Sequence, residues 1–189
     1  GLVTTEAGGT ATFTVVLTSQ PTADVTVALS SSNPAEGAAS PASLTFTAVD
    51  WSAPQTVTVT GANDFVVDGP RAYSIVTAAA VSGDLVYEGL DAADVSVTNL
   101  DDDVAGVTVT PTSGLVTTEA GGTATFTVVL RSQPTADVTI PVHSSNLAEG
   151  TVSPADLTFT AGNWSAAQTV TVTGVNDLVA DGPQTFAVV

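Results

Sequence analysis

The sequence predicts an all-β protein: two tandem antiparallel Greek-key β-sandwiches of the immunoglobulin-like kind, with about seven short strands each. Three observations lead there. Stretches such as TATFTVVL (10–17) alternate polar and apolar residues with a period of two. Clusters of turn-forming residues, SQPTAD, SSNPAEG, GAND and DGP, separate these stretches. The segment GLVTTEAGGTATFTVVL at 1–17 returns letter for letter at 114–130, so the pattern is laid down twice.

In order along the first copy, residues 10–17 turn Thr outward and Ala11, Phe13, Val15 and Leu17 inward. The same alternation continues through Val25, Val27 and Leu29, then Leu44 and Phe46, then Val57 and Val59. Tyr73 with Ile75, and Val95 with Val97, mark the last two strands. Thr and Val dominate because β-branched side chains suit a pleated, half-buried surface. No window offers a capped helical pattern of useful length.

Residues 1–76 align with 114–189 without a gap, with 56 identities in 76 positions. The expected domains are a first repeat, 1–103, lacking its opening strand, and a second, 104–189, lacking its C-terminal strands. VAGVTVTPTS (104–113) reads as an opening strand without a counterpart in the first copy, and 77–103 have none in the second. The array therefore reads as an excerpt of a longer protein. Inward positions change conservatively between copies (Val27 to Ile140, Tyr73 to Phe186, Ile75 to Val188), whereas loop and outward positions change freely (Thr18 to Arg131, Ser30 to His143, Pro34 to Leu147).

Charge narrows the function classes. Nineteen Asp and Glu face two basic residues, Arg71 and Arg131, for a net charge of −17. Nucleic acid or an anionic membrane face would repel such a chain, whereas cations are attracted. There is no Cys, hence no disulfide framework and no thiol chemistry. No apolar run approaches the roughly 18 residues of a bilayer span, and the opening GLVTTEAGG lacks the basic start and apolar core of a signal peptide. His143 stands alone and is Ser30 in the first copy, which argues against a Ser/His/Asp triad. EAGGTA lacks the Lys of a phosphate-binding loop. No catalysis is expected.

The acidic residues of the first copy fall mostly in turns: Glu6 before the long strand, Glu36 before LTFT, Asp64 and Asp68 in GANDFVVDG, and Asp101, Asp102 and Asp103 after DVSVTN. Converging, they would form the all-oxygen shell that Ca²⁺ prefers; apart, they are turn residues and a solvated charge run. Which holds depends on strand topology.

An acidic residue followed by GGTATFTVVL, then TVTVTGANDFVVDG and a terminal DDD, resembles the Calx-beta domain, in particular its tandem versions in large bacterial surface proteins. That resemblance implies a seven-stranded sandwich binding Ca²⁺ at one end, near the junction to the next repeat. Its ligand positions fall on Glu6, Glu36, Asn63, Asp64, Asp68, Asp101, Asp102 and Asp103, and in the second copy on Glu119, Glu149, Asp177 and Asp181. Asn63 replaces one acid of the family's pair, and Gly69, Pro70 and Arg71 stand where a further acid is expected, so one or two ions are implied. The second site, without a terminal triplet, is expected to be weak or empty. The implied role is a calcium-stiffened spacer of an extracellular bacterial adhesin or surface protein, partnered by neighbouring repeats. Two alternatives are a carbohydrate- or cell-surface-binding module using Trp51 and Trp164, and a subunit that self-associates head to tail through incomplete sandwich edges.

Overall fold

The structure, a computed structural model, describes residues 1–176, 179 and 182–189. The first repeat supplies nine strands in chain order: β1 (Leu2–Thr5), β2 (Thr10–Val15), β3 (Val25–Ser31), β4 (Gly37–Ser40), β5 (Ser43–Phe46), β6 (Gln55–Gly61), β7 (Arg71–Thr77), β8 (Val81–Ser82) and β9 (Val95–Leu100). The second supplies β10 (Val107–Thr110), β11 (Thr123–Leu130), β12 (Val138–Pro141), β13 (Gly150–Ser153), β14 (Asp156–Phe159) and β15 (Gln168–Gly174). Every regular element among the described residues is a strand, and the strands gather into two compact units, β1–β9 and β10–β15.

In the first unit one sheet runs β1-β9-β7-β3-β5, with β8 also on β3; the other runs β2-β6-β4. Pairing is antiparallel except for β1 and β9, which run parallel with Leu2 opposite Val97 and Thr4 opposite Asn99. The alternating residues read from the sequence make the core between the sheets: Val25, Val27 and Leu29 from β3, Leu44 and Phe46 from β5, Val57 and Val59 from β6, Tyr73 and Ile75 from β7, and Val97 from β9. Fully burying one such side chain stabilises the fold by about 1.5–3 kcal/mol, so this cluster dominates the unit's stability.

The second unit pairs β10-β11-β15-β13 in one sheet and β12-β14 in another. Its core repeats the first, with Phe126, Val128, Leu130, Val142, Leu157, Phe159, Val170 and Val172 buried. Strand β10 is the opening strand expected at 104–113, and it pairs antiparallel with β11.

Three short strands depart from the sequence reading. β4, GAAS, is made of small residues without apolar alternation; β1 and β8 are only four and two residues long. The strand expected over 10–17 ends at Val15, whereas its counterpart β11 runs on to Leu130, where β10 pairs with it.

Candidate metal centre

The topology answers the question of convergence. Because β1 and β9 are parallel neighbours, the residues that follow each of them leave at the same end. Glu6 follows β1, and its amide bonds the carbonyl of Leu100, the last residue of β9, at 3.0 Å. Strand β6 ends there too: the Gly61 amide bonds the Gly9 carbonyl at 3.0 Å. A side chain at Gly61 would run into the Thr5 carbonyl and the Asn99 amide oxygen, so glycine allows the end of β6 to lie against β1. Asp64 follows three residues later.

Glu6 points inward for the same reason that Thr4 does. Side chains two apart share one face of a strand, and the turn after β1, closed by Gly8 and Gly9 amides on the Thr5 carbonyl, carries that direction on by one more position. Thr4 and Glu6 are 1% and 2% exposed. Thr4 donates its hydroxyl to the Asn99 side-chain oxygen at 2.9 Å, and the Asn99 amide bonds the Ala62 carbonyl at 3.0 Å. Asn99, itself buried, thereby joins β1, β9 and the chain leaving β6.

Within the first unit, Glu6 and Asp64 each offer one carboxylate oxygen, and the two oxygens lie within 4.8 Å of each other. Two ligands on opposite sides of a calcium ion, each at roughly 2.4 Å, are separated by about that distance. Unit negative charges about 5 Å apart repel by about 3 kcal/mol per pair at an effective dielectric of 20. A divalent cation turns that repulsion into ligation.

The other predicted residues have different surroundings. Asp101 accepts two hydrogen bonds on one oxygen, from the amides of Asp68 at 2.9 Å and Gly69 at 2.6 Å, and so fixes the loop before β7. Asp68 pairs with Arg71 at 2.6 Å, and its second oxygen is buried without a hydrogen bond among the described residues. That bond to Asp68, followed by the Asp68 charge and then the charges of Glu36 and Asp64, holds the Arg71 guanidinium above its ordinary pKa. Glu36 is buried, its carbonyl accepting from the Ala62 amide at 2.9 Å, but its carboxylate is not gathered with those of Glu6 and Asp64. Asn63 is exposed and bonds the Asp64 carbonyl; Asp102 is exposed.

In the second repeat Glu119 is exposed and Glu149 half-buried, while Asp177 and Asp181 lie outside the described residues. Both tryptophans are half-buried, and Trp164 packs on the second core. Asp50 is a turn residue: it takes the Thr47 amide at 2.6 Å, and Asn163 takes the Thr160 amide at the same distance.

Sequence reading passed over Asn99 and Arg71. Asn99 stands two residues beyond Val97, so the period of two already marks it as inward, and an inward amide needs partners. Arg71 reads from the sequence as one of two basic residues and as standing where an acid is expected, but not as the partner of Asp68 that it is.

No family model and no curated protein matches the chain. Among solved structures it is similar to the crystal structure of CBD12 from CALX1.2, at 17% identity and a TM-score of 0.42, covering 99% of this chain and 75% of that one. It is similar also to calcium binding domain CBD12 of CALX1.1, at 19% identity and 0.40, covering 93% and 73%. A third likeness is to SSP-19, an MSP-domain protein like family member in Caenorhabditis elegans, at 16% identity and 0.36, covering 53% and 92%. These are loose likenesses, and the fold class rests on the strands and their pairing.

Proposed function

We propose that the first repeat is a non-catalytic calcium-binding module in which Glu6 and Asp64 hold Ca²⁺. The observation that carries this reading is that carboxylate oxygens of Glu6 and Asp64 lie within 4.8 Å of each other, with Glu6 only 2% exposed. An all-carboxylate set suits a hard cation, and the ion that tolerates irregular oxygen shells is calcium rather than magnesium. The counterpart of Glu6 in the second repeat, Glu119, is exposed, and binding there is expected to be weaker.

The biological role we propose is that of a spacer repeat in an extracellular bacterial surface protein or adhesin, with neighbouring repeats as its partners. Near-identical tandem copies, a charge of −17 and the absence of Cys support it. An ion held by Glu6 and Asp64 would stiffen the end of the first sandwich, as a spacer repeat requires.

Isothermal titration of the chain tests the site. Saturable Ca²⁺ binding with Mg²⁺ clearly weaker, abolished by Asp64→Asn or Glu6→Gln, is the expected result. No binding up to millimolar Ca²⁺, or binding indifferent to both substitutions, overturns the reading.

A further inference from the structure

Arg71 is the only basic side chain of the first unit, and it stands on the core-facing side of its strand. The positions of β7 that share this side are Arg71, Tyr73, Ile75 and Thr77; the last three are buried, and Arg71, at the strand's first residue, is 52% exposed. Register shows which end of the sandwich this is. Arg71 lies opposite Asn99 on β9, and Asn99 lies opposite Thr4 on β1. Two residues on from Thr4 comes Glu6, and two on from Asn99 comes Asp101. Strand β7 runs the other way, so Asp68 precedes Arg71 at the same end. The arginine is rooted in the row next to the acids of the calcium end.

Its contacts tie it to that group. The Arg71 Nε donates to an Asp68 carboxylate oxygen at 2.6 Å, and the Asp68 amide donates to Asp101 at 2.9 Å. The hydrogen bond to Asp68 and the Asp68 charge, then the charges of Glu36 and Asp64, hold the guanidinium above its ordinary pKa. A Coulomb interaction is mutual, so the charge on Arg71 offsets part of the negative potential at Asp64. That potential is what draws a cation to Glu6 and Asp64.

We propose, on the calcium reading above, that Arg71 is a built-in competitor of the ion: its fixed positive charge holds the calcium affinity of the first unit below what Glu6 and Asp64 would give without it. The same charge has a second effect. Without calcium, the guanidinium relieves the repulsion among Glu36, Asp64 and Asp68 and so stabilises this end of the sandwich. A bound ion takes over that part, working against the like charge of Arg71. The outcome is a site moved toward the weak end of calcium affinities, where extracellular modules operate. A role confined to shaping the loop before β7 predicts the opposite sign, because losing a structural contact beside the ligands would weaken binding.

The test is calorimetric titration of Ca²⁺ into the chain and into its Arg71→Gln and Arg71→Lys variants. The second repeat carries Gln184 at the place of Arg71, so glutamine is a residue that the repeat accommodates there. At low ionic strength Arg71→Gln should bind Ca²⁺ on the order of tenfold more tightly, since a nearby charge acts on a divalent ion with double strength. The gain should shrink in about 0.5 M salt, where the charges are screened. Arg71→Lys keeps the charge and should stay within about twofold of the unsubstituted chain. In chelator, the first unit of Arg71→Gln should unfold at a lower temperature. Calcium binding that Arg71→Gln leaves unchanged or weakens, an equal gain in Arg71→Lys, or a chelator transition that does not fall overturns this inference and leaves the calcium reading standing. No Ca²⁺ binding to any of the three proteins overturns the calcium reading, and this inference with it.

Discussion

The same seventeen residues stand at 1–17 and 114–130, yet their surroundings differ: among the described residues β9 lies along β1 in the first unit, and β10 lies along β11 in the second. Beside β9 in the first unit, Thr4 and Glu6 are almost wholly buried; their counterparts Thr117 and Glu119 are half-buried and exposed. The reverse holds one strand further on. In the second unit β10 lies along β11, and Phe126, Val128 and Leu130 are buried, whereas Phe13, Val15 and Leu17 of the first unit are only half-buried. The burial of a side chain is thus set by the neighbouring strand as much as by its own sequence. For Glu6 this decides chemistry: the same letter is a candidate ligand in one unit and an exposed acid in the other.

Three predictions probe that comparison. The largest effect belongs to the cores, which the two units share. Phe46 and Phe159 are both fully buried at equivalent positions, and truncating either to Ala should cost about 3–5 kcal/mol. Urea unfolding followed at Trp51 for the first unit and Trp164 for the second, each in a single-tryptophan background, should show that each substitution lowers mainly its own midpoint. A common shift in both reporters would mean that the units do not unfold independently.

A smaller effect separates the units. Thr4→Val removes the hydroxyl bonded to buried Asn99 and should cost the first unit about 1–3 kcal/mol. Thr117→Val, at a half-buried position, should stay within about 0.5 kcal/mol. Equal costs would contradict the account of what β9 contributes.

The smallest effect concerns acid. The amides of Thr22, at 2.7 Å, and Val86, at 2.9 Å, hold the Asp84 carboxyl below its ordinary value, the Thr22 bond contributing most. A carboxyl whose folded pKa is depressed contributes stability above the unfolded pKa of 3.8 and loses it as pH falls below that value toward the folded one. Asp84 has no counterpart in the second repeat. Below about pH 4 the first unit should therefore lose stability more steeply than its Asp84→Asn variant, as read by Trp51 fluorescence during acid titration.

Much of the fold was legible because its core is written in a period of two. Val25 to Leu29, Leu44 with Phe46, Val57 with Val59 and Tyr73 with Ile75 all face inward as the alternation requires. The short GAAS strand was not legible, since Ala and Ser carry no alternation to read. The meeting of Glu6 and Asp64 lay beyond the sequence for a different reason. It depends on the ends of β1 and β6 lying together, a juxtaposition of residues far apart in the chain that no local pattern encodes. Nor could spacing show that, within the DDD run, Asp101 would turn to the amides of Asp68 and Gly69.

Thermal unfolding in Ca²⁺, in Mg²⁺ and in chelator, on the chain and on its Glu6→Gln variant, tests the calcium site most directly. At a hundredfold excess over Kd, bound Ca²⁺ should raise the first unit's transition by on the order of 10 °C. The second unit's transition should not move, and Glu6→Gln should erase the shift. A first-unit transition indifferent to millimolar Ca²⁺, or one that still rises in Glu6→Gln, would contradict the account.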